Sequence, residues 1–156
     1  MRNEDEGEYE GGGGGGGKKI GLVFANNLIK VERVPFFDRE IGINEIWIIE
    51  NPWYFGGDED GLFFFNKKKI LMYRMAMIEY FNELRDHITS KRIHEITIKY
   101  VEYANDYREY IDDDDIIYYY DPVDVPMRKE LKNIVCKERV MFDNPIFLLG
   151  RDDIDE

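Results

Sequence analysis

Short apolar runs recur along the chain, and polar or turn-forming residues follow each of them. The first run, residues 20–28, is apolar up to the two adjacent amides Asn26 and Asn27. A continuous run rich in Val, Ile, Leu and Phe, rather than an alternating one, is typical of a strand buried on both faces of a parallel sheet. We therefore predict that this run is the central strand and that Asn26 and Asn27 lie at its carboxyl end.

Four later runs predict four more strands, over residues 45–49, 93–102, 116–120 and 138–142. Residues 66–87 predict a helix with Asn66 as its N-cap. Its apolar residues recur at helical spacing and predict a buried stripe: Ile70, Met77, Ile78, Phe81, Leu84 and Ile88. Shorter helices are predicted over residues 103–111 and from Asp121 or Asp124 to Ile134, whereas residues 29–44 show only a weak helical pattern.

Strands that alternate with helices predict an α/β fold. We expect an open five-stranded parallel sheet with strand order 3-2-1-4-5, in a Rossmann-like three-layer sandwich. This domain is assigned to residues 20–149. Residues 1–19, acidic and then seven glycines, predict a disordered tail, and residues 150–156 a second acidic tail. The glycine run contains G-x-G-x-x-G but precedes a strand instead of following one, so we do not expect it to bind a nucleotide.

The carboxyl edge of the predicted sheet is the expected binding site, because ligands of such sheets bind beyond the strand ends. Amides and carboxylates there can hydrogen-bond a ligand, and aromatic rings can stack on it. The candidate cofactor-binding residues are Asn26, Asn27, Leu28, Glu50, Trp53, Tyr54 and Asp121.

Three lysines, Lys67, Lys68 and Lys69, occupy the first turn of the predicted long helix. Cations at that end oppose the helix dipole, at a cost of about 0.3–1 kcal/mol each. We interpret them as a partner interface, with three solvated lysines as the alternative.

Charge and composition narrow the classes of partner. The net charge of -12 repels phosphate, so direct nucleic-acid binding is not expected. No apolar run approaches the roughly 20 residues that span a bilayer, and no hydrophobic segment near residue 1 resembles a secretory signal. The single cysteine, Cys136, excludes a disulfide within the chain and a multi-thiolate cluster. We predict an intracellular protein, in the cytoplasm, or in a nucleus or viral factory if the gene is viral.

The sequence offers little for catalysis. Ser90 is the only serine and lacks a nucleophile elbow. His87 and His94 are expected at the surface, and the acidic run 112–115 is interpreted as a solvated turn rather than a cation site. Cys136 is predicted to lie on a helix as a small buried hydrophobe. We therefore predict no catalytic or metal-binding residue and do not expect an enzyme that acts alone.

Several of these segments, taken in order, resemble the N-terminal domain of photolyase-related proteins, in the branch of iron–sulfur bacterial cryptochromes and (6-4) photolyases. Val-Phe-Ala-Asn-Asn-Leu at 23–28 is similar to the family's Gly-Asp-Gln-Leu or Pro-Asn-Gln-Leu turn, and Ile-Glu-Asn-Pro at 49–52 to its Glu-Glu-Pro segment. Residues 66–70 and 73–77 resemble its His-Lys-Gln-Lys and His-Arg-Ala-Ser-Met helix. Asp-Pro-Val-Asp at 121–124 and Asn-Pro-Ile-Phe-Leu at 144–148 complete the series. Asn27, Asn51 and Asn66 differ from the family's Gln, Glu and His.

The resemblance implies an antenna-type domain that holds 6,7-dimethyl-8-ribityllumazine above the first strand. In that family a larger helical domain carries FAD, the iron–sulfur cluster and the DNA contacts, and we expect no counterpart of it in this chain. The resemblance therefore implies a chain that acts with a separate FAD-binding chain in light-dependent DNA repair or signalling. The alternative is a non-enzymatic interaction module with an empty or repurposed crevice. A small nucleotide-binding enzyme has only fold analogy behind it.

Overall fold

The computed structural model of the protein describes residues 16–56 and 66–145. Five parallel strands form one sheet: Lys19–Val23 (β1), Glu45–Ile49 (β2), Thr97–Val101 (β3), Ile116–Tyr120 (β4) and Glu138–Phe142 (β5). Their order is β3-β2-β1-β4-β5, and all four neighbouring pairs are parallel. The predicted fold class and strand order are confirmed. β1 is central, and its Ile20 and Leu22 are fully buried, as the continuous apolar run indicated.

The connections hold three α-helices: Pro52–Phe55 (α1), Lys67–Lys91 (α2) and Val125–Asn133 (α3). Asn66 caps α2, as predicted, because its Oδ1 accepts a hydrogen bond from the Lys68 backbone N–H at 2.9 Å. The region from residue 29 to residue 44 forms two 3-10 helices, Val31–Arg33 and Pro35–Phe37, and a third, Tyr107–Tyr110, joins β3 to β4. None of the described helices is long and apolar enough to cross a membrane.

Each face of the sheet is covered by different connections. Phe36 packs against the Gly21 side of β1, and its ring lies 5.6 Å from that of Tyr120. On the other side, Phe24 contacts Tyr107 edge-to-face, with ring centroids 5.8 Å apart. The segment with Phe36 therefore belongs to one outer layer and the 3-10 helix Tyr107–Tyr110 to the other, which gives the three-layer arrangement expected for a parallel sheet.

Several local predictions differ from the structure. Lys19 was assigned to the disordered tail but begins β1, because the Lys18 and Lys19 backbone N–H groups donate to Asp115 and Asn44. Ile78 was placed in the buried stripe of α2 but is 45% exposed, since Met77, Tyr80 and Leu84 form the inward face. Cys136 follows α3 instead of lying on a helix, and it is half-buried. The predictions for residues 1–15 and 146–156 lie outside the described residues.

Asp115 is buried, unlike the rest of its acidic run, which was interpreted as a solvated turn. Its carboxylate accepts hydrogen bonds from the backbone N–H groups of Lys18, at 2.7 Å, and Asp112, at 2.9 Å. These contacts tie the start of β1 to the loop before β4. Asp115 thus has a structural role that its sequence context concealed.

We expect Asp115→Ala to lower the free energy of unfolding by about 2–3 kcal/mol, because two backbone N–H groups lose their acceptor. Asp113→Ala, an exposed change of the same chemistry two residues away, should alter it by less than about 0.5 kcal/mol. Urea unfolding of both variants measures the difference. Equal effects of the two substitutions would contradict the role of Asp115.

Candidate functional site

The carboxyl ends of β1, β2 and β4 are neighbours, because β1 lies between the other two strands. From β1 the chain turns to β2 on one side, whereas β4 and β5 lie on the other. In open α/β sheets such a reversal leaves a crevice beyond the strand ends, where ligands bind. The segments that follow these three strands supply the polar groups there.

Tyr54 links the segments that follow all three strands. It lies in α1, after β2, and its hydroxyl donates a hydrogen bond to Asp124 Oδ2 at 2.8 Å, after β4. The Asn26 side chain, after β1, also hydrogen-bonds to this hydroxyl. Two of the sequence-predicted site residues, Asn26 and Tyr54, are therefore brought together.

A second set of contacts is centred on Glu130 of α3. Its Oε1 accepts hydrogen bonds from Asn51 Nδ2 at 2.7 Å and from the Tyr107 hydroxyl at 2.6 Å. Asn51 also caps α1, since its Oδ1 accepts from the Trp53 backbone N–H. We call the six residues of both sets the rim cluster: Asn26, Asn51, Tyr54, Tyr107, Asp124 and Glu130.

The electrostatics of the rim cluster favour binding over proton transfer. Burial raises the pKa of the Tyr54 hydroxyl well above its ordinary value, and the adjoining Asp124 carboxylate raises it further. Burial and the negative charge of Glu130 raise the pKa of Tyr107 in the same way. Both phenols remain protonated at physiological pH, so they donate hydrogen bonds and do not act as bases.

Three buried polar atoms have no hydrogen-bond partner within the described part of the chain: Asn26 Oδ1, Asn27 Nδ2 and the Tyr120 hydroxyl. Asn27 is only 2% exposed. Leaving such a group unpaired costs about 1–3 kcal/mol, so a buried amide ordinarily has a partner. The turn after β1, which includes Asn26 of the rim cluster, therefore holds one unpaired acceptor and one unpaired donor, both buried.

Glu50 was predicted to share a pocket with Asn26, but its hydrogen bonds run in another direction. Its buried carboxylate receives two bonds from Arg74, both at 2.6 Å, one from the Tyr100 hydroxyl at 2.7 Å, and one from the Tyr103 backbone N–H at 3.0 Å. Glu50 therefore faces α2 and β3. Its neighbour Asn51, which was not among the predicted site residues, reaches the rim cluster instead.

The ionisation of Glu50 follows from these contacts. Burial opposes its charge, but the hydrogen bonds from Arg74, Tyr100 and the Tyr103 N–H outweigh burial and lower the pKa of the carboxyl below its ordinary value. Glu50 is an ionised acceptor whose donors are protein groups. In this arrangement the contacts of Glu50 stabilise the fold.

The remaining predicted residues lie around the edge. Leu28 and Trp53 are half-buried and pack against the core. Asp121 forms an ion pair with Arg128, with Oδ1 3.3 Å from Nε. Lys67, Lys68 and Lys69 are exposed in the first turn of α2, where Lys69 Nζ lies 5.6 Å from the centre of the Tyr73 ring.

Besides Asn51 and Asp124, the sequence-based prediction of the site missed Tyr107 and Glu130 of the rim cluster. Tyr107 lies in a 3-10 helix with no apolar repeat, and Glu130 lies in a helix whose other charged residues are largely exposed. No local pattern distinguishes either residue from a solvated neighbour.

The described residues contain no group of three His, Cys, Asp or Glu side chains that could hold a metal ion.

A second concave surface lies on the sheet face near Trp47. The Trp47 indole N–H donates to Glu45 Oε2 at 2.7 Å, and Lys99 Nζ lies 5.5 Å from the centre of the Trp47 ring. Tyr110 and Asp112 line the same groove. Lys99 Nζ also donates to Glu45 Oε2, at 2.8 Å, so Trp47 and Lys99 share this acceptor.

Comparisons of the chain with protein-family models, with curated proteins and with solved structures gave no match. The resemblance to photolyase-related proteins accordingly stays a prediction from the sequence.

Proposed function

We propose that this chain is a non-catalytic module that binds a small planar ligand at the carboxyl edge of its sheet. The ligand class is that of the photolyase-related N-terminal domain, a lumazine such as 6,7-dimethyl-8-ribityllumazine. In this proposal the chain serves as an antenna for a separate FAD-binding chain in light-dependent DNA repair or signalling.

The unpaired amide atoms after β1 are the observation that carries the proposal. A lumazine has a cyclic imide edge with a ring N–H donor between two carbonyl acceptors. Asn26 Oδ1 would accept from that N–H and Asn27 Nδ2 would donate to a carbonyl, so both unpaired atoms would gain a partner. Trp53 supplies an aromatic surface nearby, and Asp121 and Asp124 supply carboxylates for the ribityl hydroxyls.

The rim cluster would hold this site in shape. Tyr54 fixes Asn26 relative to Asp124, and Glu130 fixes Asn51, which caps α1. Because both phenols stay protonated and both carboxylates already accept hydrogen bonds, these side chains position the ligand rather than react with it.

We expect the purified chain to bind added lumazine. The substitutions Asn26→Ala and Asn27→Ala should each weaken that binding by about 5- to 150-fold, the equivalent of about 1–3 kcal/mol for a lost buried hydrogen bond. Fluorescence titration gives the dissociation constants. Asn105→Ala, an exposed amide elsewhere on the surface, is the matched control and should leave the constant unchanged.

A modified ligand tests the proposed hydrogen bond between Asn26 and the ring N–H. Methylation of the imide nitrogen removes the ring donor, so this analogue should bind the wild-type chain more weakly but lose nothing further in Asn26→Ala. A chain that binds neither compound, or equal affinities of all variants, would overturn the proposal.

The second candidate is the interaction module with an empty or repurposed crevice. The observation in its favour is an exposed apolar surface on α2, far in sequence from the rim turn after β1. A chain that binds no lumazine but has a protein partner on α2 would support this second function.

A further inference from the structure

The outer face of α2 exposes four large apolar side chains over two turns. Leu71, Met72, Met75 and Ile78 are 57%, 70%, 61% and 45% exposed. They lie opposite the inward face formed by Met77, Tyr80 and Leu84. A contiguous apolar surface on a helix is typical of a protein interface.

Charges of opposite sign flank this apolar stripe. Lys68 lies seven residues before Met75, whereas Glu79 and Glu83 lie four and eight residues after it. All three are exposed, and none forms an ion pair with another described residue. At 1.5 Å of rise per residue, Lys68 and Glu83 lie about 11 and 12 Å from Met75, on opposite sides along the helix axis.

This arrangement is complementary to itself in one orientation. If two copies of α2 pack antiparallel about a two-fold axis at Met75, Lys68 of one copy lies within one residue, about 1.5 Å along the axis, of Glu83 of the second copy and beside its Glu79. Helical spacing of 100° per residue puts these three on the same side of the contact. On the other side, Leu71 lies within one residue, about 1.5 Å along the axis, of Ile78 of the second copy. A parallel pairing would instead set Lys68 against Lys68 and Glu83 against Glu83.

We infer that the outer face of α2 binds a second copy of this chain and forms an antiparallel, two-fold symmetric helix pair. Met75 meets its own copy at the axis, Leu71 and Ile78 flank it, and Lys68 forms an ion pair with Glu83 of the second copy on each side. The same patch serves both subunits, as two-fold symmetry requires. Lys68, unfavourable at the start of an isolated helix, gains an anionic partner in this pair.

The strength of the dimer follows from its size. A single helix pair buries less than the roughly 1,600 Å² of a standard interface, so we expect a dissociation constant in the micromolar range. Sedimentation velocity of the full chain between about 1 and about 500 μM should show conversion of monomer to dimer. The inference does not depend on ligand binding, because the rim cluster contains no residue of α2.

Met75→Glu should weaken dimerisation by more than about 100-fold, because it places two like charges at the axis in an apolar contact. Val135→Glu is the matched control: Val135 is 68% exposed, but it lies after α3. It should leave the monomer–dimer equilibrium unchanged. Circular dichroism verifies that both variants are folded.

A charge exchange tests the antiparallel direction. Lys68→Glu or Glu83→Lys alone should weaken the dimer by about tenfold, and the two single variants mixed should form a heterodimer of wild-type strength, since each contact then joins opposite charges. In a Cys136→Ser background, Met75→Cys should form a disulfide-linked dimer with diamide as the oxidant, whereas Val135→Cys should not.

A chain that remains monomeric over the whole concentration range, or a dimer that Met75→Glu leaves intact, would overturn the inference. Loss of lumazine binding with an intact dimer would count against the proposed function and leave this interface standing.

Discussion

Replacing Glu50 by leucine should lower the free energy of unfolding by about 3–5 kcal/mol, because three donor groups lose the one buried carboxylate that accepts from them. The side chain of Glu50 is fully buried, and its carboxylate accepts from Arg74, the Tyr100 hydroxyl and the Tyr103 N–H. Arg74 is half-exposed and can turn to water, whereas the Tyr100 hydroxyl and the Tyr103 N–H lose the acceptor that they share. Glu50→Gln, which keeps one acceptor oxygen, should cost less. Urea unfolding measures both variants.

The same carboxylate gives the protein a defined dependence of stability on pH. Because the pKa of Glu50 in the folded protein lies below its ordinary value of 4.5, its contribution is complete above pH 4.5 and is lost as the pH falls through the lower, folded pKa. Glu50→Gln should therefore flatten the acid limb of the stability curve. Glu102→Gln, an exposed change near the end of β3, is the control. Equal acid limbs for the wild-type protein and Glu50→Gln would contradict this account.

Replacing Phe36 by alanine should also cost about 3–5 kcal/mol, because it opens a cavity in the core. Phe36 is fully buried, and its ring lies 5.6 and 6.0 Å from the rings of Tyr120 and Phe142. The ring also fills the space that a side chain at Gly21 would occupy: a Cβ there would lie 2.7 Å from Phe36 Cδ2. Thermal or urea unfolding gives the loss of stability.

The contact between Phe36 and Gly21 predicts that the effect of Gly21→Ala on stability changes sign when Phe36 is replaced by alanine. In the wild-type protein, Gly21→Ala should destabilise by about 1–3 kcal/mol through overpacking. In the Phe36→Ala background the same methyl group enters the cavity and should stabilise by about 0.5–1 kcal/mol, helped by the lower chain entropy of alanine. If Gly21→Ala has the same effect in both backgrounds, the contact does not limit the size of residue 21.

Several elements of the fold are predictable from local sequence alone. The continuous apolar run before Asn26 predicts a buried central strand, and β1 is central and buried. The helix beginning after Asn66 is equally local, because a side-chain cap and a long helical pattern specify it. α1 was missed, although Asn51 as a cap and Pro52 at the first position are its local signals.

The candidate site was predicted in part. Asn26 and Tyr54 meet at the rim, as residues that follow adjacent strands should. Glu50 does not join them, because it and Asn51 follow β2 directly and point in opposite directions, as successive residues of an extended chain do: Glu50 faces Arg74 and Asn51 faces Glu130. The position of a residue directly after a strand therefore predicts the edge of the sheet at which it lies, but not the direction in which its side chain points.

The order of apolar runs in the sequence by itself determined five parallel strands, their arrangement and the edge at which polar residues collect. A strand that is buried on both faces of the sheet has a continuous apolar sequence, which can be recognised without knowing the neighbouring strands. The tertiary structure alone decided which polar side chains meet there. Tyr54 and Asp124 are 70 residues apart, and Asn51 and Glu130 are 79 residues apart. Their hydrogen bonds depend on the paths of several connections, so the local sequence around each residue does not indicate its partner.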